Sequence, residues 1–474
     1  MVVDCPPVAK QPDILLIMPD QWRGDCLSLE RHPVLLTPNI DEIGGHGTHF
    51  RRAYVTCPSC IAARRSLLTG QFPATNGVVG FVGDVPIQSP TLPQLLGDAG
   101  YRTALAGRHM HQSPYARSYG YQTQVLGSNY VDNDDHARWL AKHAPDSGGV
   151  KGHGISFNGW TAKPWQFADH LHPTNWTVQR SREIIRNQTG MKPLFLTASF
   201  IAPHPPLIPP AFYYERYRQM QLPPVAIGDW AVPPANDGRG CGVDHHRVVL
   251  RGEALRSAQA GYFGLINHID DQVFWLIAEF CAHAQARRRP WLIVFTSDHG
   301  EMLGDHYYFR KCEPYEGSAR IPFLIQGSDN LGFKPGQTCD QPVCLEDLLP
   351  TLLEVAGEPI PSGVDGQSLV PILQGGQRQI RGWLHGEHSP CYSQEQAHHY
   401  LTDGRMKYIW RPATGAEQLF DLVKDPRELR DLAKRRRPEL RLWRARLIER
   451  LRGRTAGFTD GKRLIAGRPY PGTC

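Results

Sequence analysis

A cysteine and an arginine four residues apart are the most informative pairing in this chain. They are the first and last residues of the stretch Cys60-Ile61-Ala62-Ala63-Arg64, which is closely followed by Ser66-Leu67-Leu68-Thr69-Gly70. A thiol beside a basic side chain could be the nucleophile of an enzyme. A buried structural cysteine next to a basic helix start would give the same residues. The pattern alone leaves both interpretations open, and the other motifs have to decide between them.

Two acidic residues stand where apolar runs end. Asp20-Gln21 follows the run Ile14–Met18, and Asp298-His299 follows the run Trp291–Thr296. Each tip offers a carboxylate beside a second candidate ligand, and two such tips on neighbouring parallel strands could hold a hard divalent cation. An aspartate at a strand end is also a common helix cap or turn residue. Two tips in a chain that also carries the Cys60 stretch favour the metal site.

The elements that would position these residues alternate along the chain. The amphipathic segments Thr91–Leu96 and Leu265–Val273 lie between the apolar runs Ile14–Met18, Thr103–Ala106, Leu194–Ala198 and Trp291–Thr296. This alternation predicts an α/β fold, with a sheet covered by helices on both faces. Ligand sites in such folds lie at the carboxyl ends of the strands, where the polar motifs occur here. Residues 112–190 and the Pro-rich residues 205–250 are predicted to form long loops over the site.

The pattern changes near residue 375. Tyr400–Trp410 predicts a hairpin with its turn at Asp403-Gly404, and Gln418–Leu422 predicts another short strand. A helix rich in Arg and Leu is expected from about Pro438 to Leu451. We therefore expect a catalytic α/β domain over residues 1–375 and a small α+β domain over residues 376–474.

Several aromatic and histidine residues are less decisive. Those in the two long loops could stack on an aryl ring or a sugar, or could cover the core, and both interpretations stay open: Trp160, Trp165, Trp176 and Tyr213-Tyr214. Glu387-His388 and His398-His399 belong to the smaller domain, and no pattern places them at the cleft.

Composition narrows the class of protein. Hydrophobic residues make up 41% of the 474 residues, and the net charge of +6 suits an anionic substrate without arguing for nucleic acid. The basic run Lys434–Arg437 is interpreted as a solvated helix face. No run approaches the length that spans a bilayer, and the first residues lack the features of a secretory signal. The eleven cysteines form no regular framework, so we expect a cytoplasmic protein. From the charge and the absence of a spanning run, we expect neither nucleic acid nor a membrane as a partner.

Taken together, the motifs resemble those of type I sulfatases, the formylglycine-dependent branch of the alkaline phosphatase superfamily. In that family a cysteine four residues before an arginine is oxidised to formylglycine, and Cys60 fits this frame whereas Cys57 does not. Ala62 stands where many members have proline. Further motifs occur in family order over nearly the whole chain: Asp20–Asp25, Pro203–Pro206, Thr296–Glu301, Lys311, Arg320–Pro322 and Leu419–Pro426. The implied fold is alkaline-phosphatase-like, with a mixed, mostly parallel sheet sandwiched by helices.

The resemblance also implies a mechanism. Formylglycine made from Cys60 would be hydrated to a diol, one hydroxyl of which attacks sulfur or phosphorus in line with the leaving alkoxide. The second hydroxyl then loses its proton and expels the sulfate, which regenerates the aldehyde. A formylglycine-generating maturation enzyme is therefore an implied partner.

Other residues receive roles by the same resemblance. One divalent metal, with calcium favoured over magnesium or manganese, would be held by Asp20, Gln21, Asp298 and His299, and would lower the pKa of the diol. Arg64 would hold the diol oxygen. Lys311 and His204 would grip the sulfate oxygens and steady the leaving group.

The segment Gly107-Arg108-His109-Met110-His111 aligns in two ways with the Gly-Lys-x-His of many sulfatases. Anchored on the histidine, His111 is the proton acceptor and His109 takes the lysine position. Anchored on the glycine, Arg108 takes the lysine position. We favour His111 as the base and Arg108 as a second cation, because a base is needed to collapse the intermediate.

The expected activity is hydrolysis of a sulfate monoester, either aryl or carbohydrate. Asp20-Gln21 and Asp298-His299 also resemble the related phosphonate monoester hydrolases, so hydrolysis of phosphonate monoesters or phosphodiesters is the alternative, and His111 favours the sulfatase. An anion-binding protein that keeps Cys60 as a thiol is disfavoured by the full set of charged site residues. A two-metal phosphatase would need more metal ligands, and Ser or Thr in place of Cys60.

Overall fold

The structure is a computed structural model that describes residues 11–109, 113–115, 117–128, 133–376 and 379–474. Its strands in chain order are β1 Asp13–Asp20, β2 Thr48–Phe50, β3 Ala53–Tyr54, β4 Arg102–Gly107, β5 Thr123–Leu126, β6 Leu194–Pro203, β7 Trp291–Thr296, β8 Phe323–Gly327, β9 Gln337–Cys339, β10 Val343–Cys344, β11 Leu384–His388, β12 His398–Thr402, β13 Met406–Trp410 and β14 Glu417–Asp421.

The α-helices are α1 Pro38–His46, α2 Cys60–Thr69, α3 Pro73–Asn76, α4 Leu92–Asp98, α5 Asp135–His143, α6 Pro173–Arg186, α7 Ala211–Arg218, α8 Gly252–Ala286, α9 Glu316–Ala319, α10 Leu348–Ala356, α11 Val370–Leu373 and α12 Arg437–Leu451. None of the helices in the described ranges contains a stretch both long enough and apolar enough to cross a bilayer.

The large sheet has eight strands in the order β5-β4-β6-β1-β7-β8-β2-β9. The five neighbouring strands β5, β4, β6, β1 and β7 are parallel to one another. Strand β8 runs antiparallel to both β7 and β2. Because β1 and β7 are adjacent and parallel, their carboxyl ends meet at one edge of the sheet. The mixed, mostly parallel sheet is confirmed.

Helices cover both faces of this sheet. Leu15 and Ile17 of β1 pack in the core formed with α1, α6 and α8, while Ile14 and Leu16 point into the opposite core with α2, α4 and α10. The side chains of β1 are buried on both faces, which explains why this strand is a continuous apolar run rather than an alternating one. The same reason holds for β6, which is buried throughout.

A second, antiparallel sheet of order β11-β12-β13-β14 follows, and α12 packs against it. The predicted hairpin is β12 and β13, with Gly404 at a φ of 82° in the turn, a conformation that suits glycine. The predicted strand at Gln418–Leu422 is β14, and the predicted C-terminal helix is α12. The domain boundary at residue 375 stays a prediction.

Residues 112–190 are less irregular than the sequence predicted. They contain β5 and the helices α5 and α6. Helix α6 buries Ile185 in the core beneath the sheet and Trp176 against His136 of α5, although Thr and Ser interrupt its apolar spacing. Residues 205–250 hold only the two-turn helix α7 and short turns, as expected from their proline content. Trp165 and Trp176 are 9% and 1% exposed, so both side chains are buried among protein atoms.

Candidate active site

The two acidic tips meet at the carboxyl edge of the large sheet. Asp20 is the last residue of β1, and Asp298 follows the end of β7 by two residues. Nε2 of His299 lies 3.7 Å from Oδ1 of Asp20 and 3.7 Å from Oδ1 of Asp298. The ligand atoms of Asp20, Cys60, Asp298 and His299 all lie within 4.8 Å of one another, and all four side chains are buried. Parallel strand ends therefore converge as the sequence predicted.

Gln21 is held by three neighbours in a left-handed backbone conformation, with a φ of 70°. The Tyr262 hydroxyl donates to its carbonyl oxygen at 2.7 Å, and its side-chain Nε2 donates to Glu301. Its amide oxygen Oε1 accepts from Nζ of Lys311 at 3.1 Å. These bonds fix which end of the amide is the oxygen and direct that oxygen toward the site.

Cys60 is the first residue of α2 and is 1% exposed. Its Sγ lies 2.9 Å from Nζ of Lys311, 3.1 Å from Nε2 of His299 and 3.8 Å from Oδ1 of Asp20. Burial raises the pKa of the Cys60 thiol, but Lys311, His299 and Arg108 outweigh it, so the pKa is lowered. Residue 60 thus occupies the centre of a positively charged, water-poor pocket.

Two arginines tie the carboxylates together. Nε of Arg64 donates to Oδ2 of Asp298 at 2.8 Å, and its Nη2 donates to Oδ2 of Asp20 at 3.2 Å. Nη1 of Arg108 lies 2.9 Å from the same Asp20 oxygen, and the Arg108 side chain is fully buried. Burial alone would raise the pKa of Asp20, but Arg108 and Arg64 hold it well below its ordinary value. Asp20 is therefore a carboxylate, as a metal ligand must be.

Besides His299, the prediction names three histidines for the site, of which the structure describes His204 and His109. The His204 backbone N–H donates to the Asp20 carbonyl oxygen at 3.1 Å, and its Nδ1 donates to the Pro205 carbonyl at 2.7 Å. Burial, with Lys311 and Arg108, lowers the pKa of His204 well below its ordinary value, so its ring is neutral. His111 lies outside the described residues. The His109 ring packs 5.1 Å from the ring of Tyr119.

The structure also places at the site residues for which no role was predicted. Ser199 of β6 accepts from Nη1 of Arg64 at 3.0 Å, and Glu301 accepts from Gln21 and from two backbone amides. Ser59 precedes Cys60 and contacts His388 of the second sheet, with 2.9 Å between Oγ and Nε2. Glu301 stands inside the Thr296–Glu301 motif, which was a usable signal. Ser199 and His388 are distant in the chain from the residues they support, and no local pattern marks them.

Comparison with known families and proteins identifies the chain. The family model described as Sulfatase matches residues 12–358, and a model described as N-sulphoglucosamine sulphohydrolase, C-terminal, matches residues 304–454. The chain belongs to the sulfatase family. This sulfatase is 36% identical to an arylsulfatase of Clostridium perfringens, over 97% of its own length and 98% of that protein. It is 28% identical to a choline-sulfatase of Rhizobium meliloti, over 89% of its own length and 82% of the relative.

Solved structures support the same assignment at the level of fold. The phosphonate monoester hydrolase of Agrobacterium radiobacter superposes with a TM-score of 0.78 at 25% identity, over 93% of this sulfatase and 95% of that chain. Membership of the family makes the protein a sulfuric ester hydrolase and implies a metal ion. The donor set fits a divalent cation: the two carboxylates and the amide oxygen of Gln21 suit a hard ion, and the imidazole of His299 is a donor that softer ions prefer.

Proposed function

We propose that this sulfatase hydrolyses an aryl or carbohydrate sulfate monoester with a formylglycine made from Cys60 and one divalent cation, calcium being favoured over magnesium or manganese. The observation that carries the proposal is the placement of Cys60 Sγ within 3.1 Å of both Lys311 Nζ and His299 Nε2, at the edge where Asp20 and Asp298 meet. A formylglycine-generating enzyme is the partner that the proposal requires.

Four residues are proposed to hold the cation: Asp20, Gln21, Asp298 and His299. When bound, the cation would neutralise ester oxygens and lower the pKa of the hydroxyl that attacks. Arg64 and Arg108 orient the two carboxylates, because Arg64 pairs with Oδ2 of both aspartates and Arg108 with Oδ2 of Asp20, the oxygens other than those that lie 3.7 Å from His299. The protein itself therefore positions the carboxylates before a substrate binds.

The remaining side chains are proposed to act on the ester. The formylglycine supplies a geminal diol, one hydroxyl of which attacks while the other later drives release. Lys311 binds the sulfate oxygens through its ammonium group, which already reaches both Cys60 and Gln21. His204 is proposed to steady the leaving group, and the Nδ1 hydrogen bond to the Pro205 carbonyl fixes the orientation of its ring. Arg108 is the second cation, and His111 is proposed to take the proton of the diol.

A phosphonate monoester or phosphodiester hydrolase is the second candidate. Gln21 and His299 favour it, since their amide and imidazole groups resemble the metal ligands of that branch, and a phosphonate monoester hydrolase is a structural relative at 25% identity. The 36% identity with an arylsulfatase favours the sulfate ester. Relative turnover of 4-nitrophenyl sulfate and of a 4-nitrophenyl phosphonate ester separates the two candidates.

The first test is mass spectrometry of the tryptic peptide from Ala53 to Arg64, taken from protein produced with a maturation enzyme. Fragmentation distinguishes Cys57 from Cys60 within this peptide. An aldehyde or its hydrate at residue 60 is the expected result. An intact thiol at residue 60 in active protein would show that the proposed chemistry is wrong.

The matching variant is Cys60→Ala, which we expect to abolish turnover of sulfate and phosphonate esters alike while the fold is retained, because it removes the nucleophile and leaves the surrounding carboxylates and cations in place. Cys57→Ala is the control. Cys57 is equally buried and packs against Ala62 and Val78, away from the charged cluster, so its loss should leave turnover close to that of the unchanged protein. Substantial activity in Cys60→Ala would exclude the covalent mechanism.

A further inference from the structure

The second sheet supports the segment that precedes Cys60. The Tyr400 hydroxyl donates to the Val55 carbonyl at 2.7 Å, and the Glu387 backbone N–H donates to the Thr56 carbonyl at 2.7 Å. Strands β11 and β12 therefore bind the backbone that leads into α2. This contact joins two parts of the chain that lie more than 300 residues apart.

His388, the last residue of β11, makes the contact closest to the nucleophile. Its Nδ1 lies 2.5 Å from the Ser389 carbonyl oxygen, which can only accept, so Nδ1 carries the proton. Nε2 is then the acceptor, and the Ser59 hydroxyl donates to it at 2.9 Å. Burial lowers the pKa of His388 to about 4, which agrees with a neutral ring. The His388 side chain is 0% exposed, so water does not compete for this bond.

The bond to His388 takes the Ser59 hydroxyl away from a position it would otherwise favour. Ser59 is the N-cap of α2, with an extended backbone at φ −150° and ψ 149°. A serine there usually accepts from an amide of the first helical turn. The Ser59 side chain caps no amide of α2, and only its carbonyl accepts, from the Ala63 N–H at 2.9 Å. The first amides of the helix, which attract negative charge, thus stay uncapped beside residue 60.

We propose that His388 is a positioning residue for the sulfatase reaction: it holds the Ser59 hydroxyl off the N-cap, so that the first-turn amides of α2 remain available to the anionic ester at residue 60. The inference rests on the proposed function, because it assigns those amides to the sulfate oxygens. Without the histidine, the Ser59 hydroxyl would turn to the amides and occupy the place of a substrate oxygen.

The experiment is a reciprocal suppression test with His388→Phe, Ser59→Ala and the double variant. His388→Phe keeps a buried ring but removes the acceptor, and we expect kcat/KM for 4-nitrophenyl sulfate to fall about 10- to 100-fold, the range typical of supporting residues. Ser59→Ala removes the competing hydroxyl, so its kcat/KM should stay within about 3-fold of that of the unchanged protein. This change is much smaller than the loss expected when a residue that acts on the substrate is replaced. The double variant should recover to the level of Ser59→Ala.

Each rate is divided by the formylglycine content at residue 60, measured by mass spectrometry, so that poor maturation is not counted as poor catalysis. His398→Phe is the matched control, since His398 is 0% exposed on the neighbouring strand and its Nδ1 contacts the Gln396 carbonyl. It should lower the thermal unfolding temperature as His388→Phe does, with little change in kcat/KM. If His388→Phe does not fold, His388→Asn replaces it, because asparagine can still donate to Ser389 but has no atom at Nε2.

The outcomes separate the two proposals. A mature wild-type protein that hydrolyses no sulfate ester contradicts the proposed function. A wild-type protein that is active, with a double variant as impaired as His388→Phe, contradicts the positioning role alone. Unchanged kcat/KM in both His388 variants would contradict it as well.

Discussion

At the scale of single residues, Arg64 shows how one side chain orders the whole site. Its guanidinium donates to Asp298, Asp20 and Ser199 at 2.8, 3.2 and 3.0 Å, so one planar group joins the ends of β1 and β7 to the interior of β6. The family resemblance gave Arg64 a contact with the diol. The structure adds a bridge between the two carboxylates that are proposed to bind the cation.

Replacing Arg64 with lysine keeps the charge but removes the fork that contacts three oxygens at once. We expect Arg64→Lys to weaken calcium binding by about 10- to 100-fold, because the carboxylates lose their fixed orientation. Isothermal titration of metal-stripped protein with calcium measures this. Arg65→Lys is the control, since Arg65 is buried on the same helix but donates to the backbone carbonyls of Asn76, Val85 and Pro86. Equal affinities in the two variants would contradict the orienting role.

The meeting of the two acidic strand tips could be predicted from sequence because of a local rule. Asp20 and Asp298 each follow an apolar run, and adjacent parallel strands bring such tips together. The contacts of Arg108 with Asp20 and of His388 with Ser59 could not be predicted, because they join residues 88 and 329 positions apart. Such contacts depend on tertiary packing, which leaves no periodic signal in the chain.

At the scale of elements, α1 begins where another helix supplies its cap. Pro38 opens the helix, and the hydroxyl of Thr37 at the N-cap donates to Asp41 and accepts from no amide of α1. Asp270 of α8 caps the first turn of α1 instead. Its Oδ1 accepts from the Ile40 N–H at 2.8 Å, and its Oδ2 accepts from the Asn39 side chain at 3.0 Å. The start of α1 could be predicted from Thr-Pro, but its buried cap could not.

The same carboxyl predicts a dependence of stability on pH. Burial raises the pKa of Asp270 from 3.8 to about 7, although Ile40 and Asn39 act in the opposite direction. The folded protein therefore holds this proton more tightly than the unfolded chain does. The resulting stabilisation is complete below pH 4 and is lost as the pH rises through 7.

The Asp270→Asn variant has no titratable group at residue 270. As the pH rises from 5 to 8, its free energy of unfolding should therefore increase relative to that of the unchanged protein. Urea unfolding at both pH values, in chelator, measures this difference. Asp270→Ala is the companion variant, which should be less stable than Asp270→Asn at either pH because it leaves the Ile40 amide uncapped. A difference between Asp270→Asn and the unchanged protein that does not move with pH would show that Asp270 titrates normally.

At the scale of the whole molecule, buried charges join the second sheet to the segment that carries Lys311. Lys407 of β13 is 0% exposed and lies 2.7 Å from Glu316 of α9 and 3.0 Å from Glu428. Arg411, just after β13, lies 3.0 Å from Glu313. Because Glu313 and Glu316 closely follow Lys311, the antiparallel sheet fixes the backbone of a proposed catalytic residue as well as that of Cys60.

Lys407→Met should therefore destabilise the protein by about 3–5 kcal/mol, since it removes the cation from two buried carboxylates. The two acids are not equivalent, because Glu316 also lies 3.5 Å from Arg320 and 3.8 Å from Arg52, whereas the cation paired with Glu428 is Lys407. Adding Glu428→Gln to Lys407→Met should then restore more stability than adding Glu316→Gln. Urea unfolding of the three variants tests this ranking, and equal restoration by the two glutamines would mean that Lys407 serves both acids alike.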